Sequence, residues 1–184
     1  VYGATETGPF SIALPATHAH THAGSCGWPA PGVEVALHAP DAAGVGELVL
    51  RAPNVVQRYW PHTPAVDAQG WFHTGDLARQ AADGSYTIVG RAKDMIISGG
   101  ENIYPAEIEN LLLEHPSVQA CTVVGLPDPQ WGEAVAAAVV LKSGAAWQPE
   151  ELQQFLQTQL ARYKLPRHWL RCEGLPMTAL GKVK

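Results

Sequence analysis

The sequence predicts an α+β protein in which a small β-rich region precedes a compact region of alternating strands and helices. Short apolar segments separated by glycine- and proline-containing turns occupy residues 24–90, a pattern typical of short strands. Two amphipathic segments each begin at a proline, Pro105 and Pro149, as helices often do. Hydrophobic residues make up 46% of the 184 positions, which is enough for a buried core.

The β-rich region follows a first segment, residues 1–23, that we predict to be a loop. Beyond it, turn residues such as Gly32 and the pair Asp83-Gly84 separate apolar segments of strand length. We predict four strands here, at residues 33–37, 46–51, 71–74 and 86–89.

The second region alternates helices with buried strands. Ile108 and Leu112 share one face of the first helix, and Leu152 and Leu156 share one face of the second. Valine-rich segments predict buried strands at residues 120–126 and 135–141, and a last strand is predicted at 169–172. We therefore predict two domains, residues 1–92 and residues 93–184, joined by a linker at residues 91–94.

Composition excludes several classes of function. The net charge of −5 gives no support to binding nucleic acid, which requires clustered Lys and Arg. The apolar runs are too short for a membrane-spanning helix, so no integral membrane segment is expected. Three widely spaced cysteines indicate neither a disulfide framework nor a zinc site. His18, His20 and His22 alternate and could bind a metal, but a solvated polar loop is the favoured interpretation because no carboxylate or cysteine accompanies them.

The most informative segment is residues 90–109. Residues 95–97 are apolar and predict a short strand, and Ser98-Gly99-Gly100 predicts a loop that can take positive φ and let a ligand approach the backbone closely. Pro105 then begins a helix with Glu107 and Glu109 in its opening turns. This long ordered string is more specific than a glycine pair alone.

This segment resembles the hinge and thioester-forming loop of the acyl-adenylate-forming enzymes, the superfamily of acyl-CoA synthetases, peptide-synthetase adenylation domains and luciferases. Three further motifs stand in the family's order: Tyr2-Gly3-Ala4-Thr5-Glu6, His73-Thr74-Gly75-Asp76 and Pro176-Met177-Thr178-Ala179-Leu180-Gly181-Lys182. The resemblance covers essentially the whole chain. It implies the C-terminal portion of a cytoplasmic acyl- or aryl-CoA synthetase, in which residues 1–92 end the large AMP-binding domain and 93–184 form a mobile domain. The family's glycine-rich phosphate loop and most of the acyl pocket are expected upstream of Val1.

The resemblance implies the residues of adenylate formation. A carboxylic acid attacks the α-phosphate of ATP, and this meeting of two anions requires cations. Lys182 is implied to contact the carboxylate and the α-phosphate, and Glu6 to bind Mg²⁺ beside the phosphates. Thr5 can donate its hydroxyl to a phosphate oxygen. The alternatives are a solvated lysine in the tail and a turn whose carboxylate is satisfied locally.

The nucleotide itself is implied to contact the first and second motifs. Tyr2 and Gly3 are expected beside the adenine, and the Asp76 carboxylate can accept hydrogen bonds from both ribose hydroxyls. Arg91 can reach the ribose or the phosphate with its planar guanidinium. The alternatives are a local cap for Asp76 and, for Arg91, a surface ion pair with Asp94 or Asp76.

Transfer to a thiol is implied to follow rotation of the second domain about Lys93 as hinge. Ser98-Gly99-Gly100-Glu101 would then line the tunnel for the pantetheine of CoA. Trp131 could stack on the adenine of CoA or belong to the core. Tyr163 and Lys164 could contact CoA phosphates or adenine, or form a solvated basic helix end. Leu165 stands where some relatives have an arginine.

The implied partners are thus a carboxylic acid, ATP and CoA. The string Asn102-Ile103-Tyr104-Pro105-Ala106-Glu107-Ile108-Glu109 resembles free-standing CoA ligases more than peptide-synthetase adenylation domains. Two alternatives stay open: an adenylation domain that loads a carrier-protein thiol, and a non-catalytic module that binds only nucleotide or CoA.

Overall fold

The computed structural model describes residues 1–177, which form two compact units. The first unit is Val1–Lys93 and the second begins at Asp94. The division therefore falls within a short 3₁₀ turn, Ala92–Asp94, whose residues are all exposed.

The first unit is built from antiparallel strands. A four-stranded sheet has the order β4-β5-β8-β9, a smaller sheet has the order β1-β2-β3, and β6 and β7 form a hairpin. The strands are β1 (Tyr2–Ala4), β2 (Gly8–Ala13), β3 (Trp28–Pro29), β4 (Glu34–His38), β5 (Val45–Arg51), β6 (Arg58–Tyr59), β7 (Thr63–Pro64), β8 (Phe72–Gln80) and β9 (Tyr86–Arg91).

A small apolar cluster joins the two larger sheets of this unit. Ile12 of β2 is fully buried and packs with Leu48, Ala78 and Tyr86 of the four-stranded sheet. This burial fixes β1 and β2 against β5, β8 and β9. The motif that contains Tyr2 is thereby held beside the motif that contains Asp76.

The prediction of a loop at residues 1–23 is wrong, because β1 and β2 occupy much of it. Gly8 and Pro9 weaken the strand signal of β2, since both residues are uncommon inside strands. Gly3 permits the pairing: a side chain there would place its Cβ 2.2 Å from the carbonyl oxygen of Gly8. Two strands can pass this closely only where one of them has no side chain.

The second unit combines a mixed sheet with two helices. Its sheet has the order β11-β10-β13-β12, and β14 pairs in parallel with the far end of β13. The elements are β10 (Ile96–Ser98), β11 (Glu101–Ile103), α1 (Pro105–Glu114), β12 (Val118–Asp128), β13 (Gly132–Leu141), α2 (Pro149–Gln157), a 3₁₀ turn at Arg162–Lys164, and β14 (His168–Cys172).

Both helices pack into one core with this sheet. Ile108 and Leu112 of α1 and Leu156 of α2 are fully buried and contact the cluster that contains Val135 and Val139 of β13. Pro105 and Pro149 occupy the first positions of their helices, where the missing N–H has no partner to lose.

The α+β fold class is confirmed, and the predicted strands and helices are present with ends shifted by a few residues. Sequence reasoning missed β3, β11 and the hairpin of β6 and β7, which are strands of only two or three residues. Within residues 1–177, no helix combines the length and apolar character needed to cross a membrane.

Candidate functional site

Asp76 is the centre of a polar cluster in the first unit. The Tyr2 hydroxyl donates to Asp76 Oδ2 at 2.7 Å, and Arg91 Nε lies 2.9 Å from Oδ1. The Asp76 side chain is 13% exposed and that of Arg91 is 54% exposed, so the pair opens to solvent on the arginine side. Arg91 therefore forms the ion pair with Asp76 that was one of its two predicted roles.

Tyr2 is held in its protonated form by this arrangement. Burial of the phenol, and then its hydrogen bond to the Asp76 carboxylate, raise the pKa of Tyr2 above its ordinary value. The hydroxyl therefore stays a donor to Asp76 across the physiological pH range. It anchors β1 to β8.

The cluster depends on an irregularity in strand β8. Glu47 pairs with Leu77 and Val49 with His73, so Thr74-Gly75-Asp76 oppose the single residue Leu48. This is a β-bulge, and Gly75 adopts a φ of 73°, which favours glycine. Bulges redirect side chains, and here the redirected residue is Asp76.

Thr5 and Glu6 lie in the turn between β1 and β2. Thr7 closes this turn through its amide, which donates to the Ala4 carbonyl, and through its hydroxyl, which accepts from the Ala4 amide. Thr5 is exposed, and Glu6 Oε1 accepts a hydrogen bond of 3.2 Å from Tyr59. A partly exposed carboxylate on a rigid turn fits a Mg²⁺ ion that also binds phosphate oxygens.

In the second unit, Gly99 and Gly100 form the turn of the hairpin between β10 and β11. Ser98 pairs with Glu101, and the two glycines have φ of 62° and 87°. The prediction of positive φ at this pair is confirmed. Both values lie in the region where residues with side chains are strained.

Three contacts fix this turn to the start of β13. The Gly99 amide donates to the Trp131 carbonyl at 2.8 Å, and the Ile97 amide donates to Glu133 Oε2 at 2.7 Å. The Trp131 ring lies directly against Gly99, where an added Cβ would be 2.8 Å from the ring. These contacts therefore fix the conformation of the glycine turn.

Trp131 has contacts of its own on the surface of the unit. It is 37% exposed, and the Arg167 guanidinium lies 4.7 Å from its ring centroid, a cation–π arrangement. The Asp128 carboxylate accepts from the Trp131 amide at 2.9 Å and orients the residue. The side chain thus lies at the edge of the unit beside the glycine turn.

Tyr163 and Lys164 are adjacent but differ in environment. Tyr163 is 43% exposed, whereas the Lys164 ammonium contacts both carboxylate oxygens of Glu107, at 2.7 and 2.8 Å. This pair ties the 3₁₀ turn to helix α1. A role of Lys164 in binding phosphate would have to compete with Glu107.

The remaining predictions concern Lys93, Lys182 and the three alternating histidines. Lys93 is exposed in the turn where the two units divide. Lys182 lies outside the described residues. Of the three alternating histidines, His22 pairs with Asp83 at 2.7 Å, and the amide and hydroxyl of Ser85, followed by His22, lower the pKa of Asp83 to about 2. In the described part of the chain, no group of three or more potential ligands is arranged to bind a metal.

Sequence reasoning missed three residues that build these sites: Glu47, Glu133 and Arg167. Glu47 and Glu133 both lie in strands with mostly apolar neighbours and are only partly exposed. A partly buried carboxylate in an apolar strand requires a hydrogen-bond partner, which is a usable signal. Arg167 has no comparable signal, because its position over Trp131 depends on how β14 pairs with β13.

Comparison with known proteins gives a consistent result along the chain. A family model described as AMP-binding enzyme matches residues 1–60, and one described as AMP-binding enzyme C-terminal domain matches residues 107–182. The chain is 44% identical over 190 residues to a feruloyl-CoA synthase of an Amycolatopsis species, covering 99% of this chain and 39% of that protein. It is 41% identical over 196 residues to a fatty acid–acyl-carrier-protein ligase of Streptomyces coeruleorubidus, covering 100% of this chain and 37% of that protein.

A solved structure is similar over nearly the same extent. It is o-succinylbenzoate CoA synthetase from Bacillus subtilis in complex with an acyl-adenylate intermediate, with a TM-score of 0.91 and 34% identity. The match covers 99% of this chain and 39% of that one. The chain thus spans about two fifths of the length of these proteins.

The glycine turn gives a prediction with a matched control. Gly99→Ala should lower the free energy of unfolding of the second unit by about 2–3 kcal/mol, because it combines a left-handed residue with a clash against Trp131. Gly100→Ala should cost only about 1 kcal/mol, since nothing lies within 4 Å of the added Cβ. Urea denaturation followed by circular dichroism measures both, and equal losses would contradict the assigned contact.

Proposed function

Since this chain belongs to the family of AMP-binding enzymes, we propose that it forms part of an ATP-dependent ligase that joins a carboxylic acid to the thiol of CoA through an acyl-adenylate. The observation that carries the proposal is the similarity, along 99% of the chain, to a CoA synthetase that holds such an adenylate. The activity belongs to the polypeptide in which this chain occurs, since the relatives are longer.

The nucleotide site of this ligase is the cluster around Asp76. A carboxylate has about four acceptor positions, so Asp76 can accept ribose hydroxyls while it keeps Tyr2 and Arg91 as partners. Arg91 is the more exposed member, so its guanidinium is accessible to a ribose or phosphate oxygen. We assign Tyr2 and Gly3 to contacts with the adenine.

Glu6 is the residue that would hold Mg²⁺, with Thr5 beside it as a hydroxyl donor to phosphate. When bound, the metal would neutralise phosphate charge as the carboxylate approaches. The Thr7 hydrogen bonds fix the backbone of the turn that carries both side chains, so this backbone does not have to be ordered when ATP binds.

Thiol transfer would use the second unit. In the turn of Gly99 and Gly100, the Trp131 ring lies against Gly99, whereas nothing lies within 4 Å of a Cβ added at Gly100, which leaves room there for the narrow pantetheine arm. Trp131 and Tyr163 are exposed aromatic surfaces that suit the adenine of CoA. We assign Lys93 as the hinge, because it is exposed at the division between the units.

The first test determines which thiol the enzyme accepts, that of CoA or that of a carrier protein. The full polypeptide that carries this chain should form a thioester with free CoA when given ATP, Mg²⁺ and a panel of aromatic and fatty acids. Mass spectrometry of the CoA product measures this. Release of pyrophosphate with no CoA thioester would favour the carrier-protein alternative, which the similarity to a fatty acid–acyl-carrier-protein ligase supports. Binding of AMP or CoA without pyrophosphate exchange would favour the non-catalytic module.

Lys182 supplies a test of the adenylation step. Lys182→Ala should slow single-turnover adenylate formation about 100-fold, because about 3 kcal/mol of transition-state charge stabilisation is lost. Lys184→Ala, two residues further on, is the matched control and should retain the wild-type rate. An unchanged rate in the Lys182 variant would remove this lysine from the mechanism.

Lys93 supplies a test of the thiol step. Lys93→Pro fixes φ at the proposed hinge and should spare adenylate formation while reducing thioester formation at least about tenfold. Lys93→Ala keeps the backbone free and should behave like wild type in both steps. Quenched-flow measurement of each half-reaction distinguishes them, and an equal loss in both steps would contradict the hinge assignment.

A further inference from the structure

Both carboxylate oxygens of Glu47, in β5, contact the bulge of β8 that carries Asp76. Its Oε1 accepts the Gly75 amide at 2.9 Å, and its Oε2 lies 2.8 Å from His73 Nδ1. The Glu47 side chain is 22% exposed and that of His73 is 36% exposed. Glu47 therefore holds the residues on both sides of Thr74.

These contacts replace the backbone hydrogen bonds that are missing between β5 and β8 at the bulge. The bulge opposes three residues of β8 to Leu48 alone, so the regular exchange of backbone hydrogen bonds between β5 and β8 is interrupted there. The Thr74 hydroxyl donates to the Leu48 carbonyl at 2.7 Å, and the Glu47 carboxylate accepts the Gly75 amide. Side chains thus satisfy the backbone groups that the bulge leaves without partners.

The orientation of the Asp76 side chain depends on these hydrogen bonds from side chains to the backbone. Gly75 has a φ of 73°, and the Thr74 hydroxyl also accepts the Asp76 amide at 3.0 Å. Glu47 therefore binds the Thr74–Gly75 peptide and Thr74 binds the Gly75–Asp76 peptide, so the backbone is fixed on both sides of Gly75. The Asp76 carboxylate then contacts Tyr2 and Arg91.

A simple surface ion pair does not account for Glu47. The exposed pair of Glu34 and Arg51 on the same sheet joins two side chains, whereas Glu47 also binds a backbone amide inside the bulge. The hydrogen bond to Glu47, ahead of the one to Asp67, raises the pKa of His73. His38 packs edge-on against the His73 ring and completes the surroundings.

We propose that Glu47 is a positioning residue for nucleotide binding. It affects the affinity for ATP indirectly, because it holds the Gly75 amide and thereby positions the carboxylate of Asp76. This inference rests on the proposed function, because it assumes that Asp76 contacts the ribose. Glu47 itself does not touch the nucleotide. Its removal should therefore affect the affinity for ATP more than the rate of the chemical step.

The experiment compares Glu47→Ala and Glu47→Gln in the full polypeptide, with Glu34→Ala as control. Glu47→Ala should raise KM for ATP about tenfold, as expected for the loss of a hydrogen bond from a charged group, and change kcat by less than about threefold. Glu47→Gln keeps an oxygen for the Gly75 amide, so KM should return to within about threefold of wild type. Glu34→Ala should leave both parameters unchanged.

A double-variant cycle with Asp76→Ala shows whether Glu47 acts through Asp76. In the Asp76→Ala background, Glu47→Ala should raise KM no further. Equal effects in the two backgrounds, or a loss in Glu34→Ala as large as in Glu47→Ala, would overturn the inference. If Asp76→Ala raises KM and Glu47→Ala does not, the inference fails while the proposed nucleotide site stands. If neither variant alters KM, the proposed nucleotide site itself fails and the inference fails with it.

Discussion

Backbone amides that leave a β-ladder must find another acceptor, and the polar sites of this chain are built around that requirement. The Gly75 amide reaches Glu47, the Ile97 amide reaches Glu133, and the Val123 amide on the outer edge of β12 reaches Glu109. Where such an amide is shielded from water, leaving it unsatisfied would cost about 1–3 kcal/mol. In each case a glutamate takes the place of a neighbouring strand. The irregular backbone beside the candidate sites is therefore as well determined as a regular ladder.

This constraint explains how much of the molecule could be predicted from sequence. The helices at Pro105 and Pro149 and the valine-rich strands of the second unit follow from local patterns of apolar residues and prolines. Residues 1–23 did not follow, because β1 and β2 depend on a close backbone approach at Gly3 and on burial of Ile12 by a sheet formed much later in the chain. Contacts of that kind leave no local periodicity.

The candidate site divides in the same way. The motifs identify Tyr2, Asp76 and Arg91, and the structure brings these three side chains together. No spacing rule indicates that Lys164 is held by Glu107, or that Glu109 binds a strand rather than supporting only the start of its helix. Such partners are set by the packing of α1 against β12 and the 3₁₀ turn. Charged residues in a motif can thus serve the fold and the chemistry at once, and only the contacts separate the two roles.

The glycine pair at residues 99 and 100 has a consequence for the thermodynamics of binding. Adjacent glycines suggest a flexible segment, since glycine loses the most conformational freedom on folding. Here the amides of Ile97 and Gly99 and the ring of Trp131 hold the turn before any ligand arrives. The entropic cost of ordering this turn is therefore incurred when the second unit folds, and not when a ligand binds. If the pantetheine arm of CoA passes this turn, as proposed, it meets backbone whose conformation is already fixed, and its affinity is not reduced by the need to order a loop.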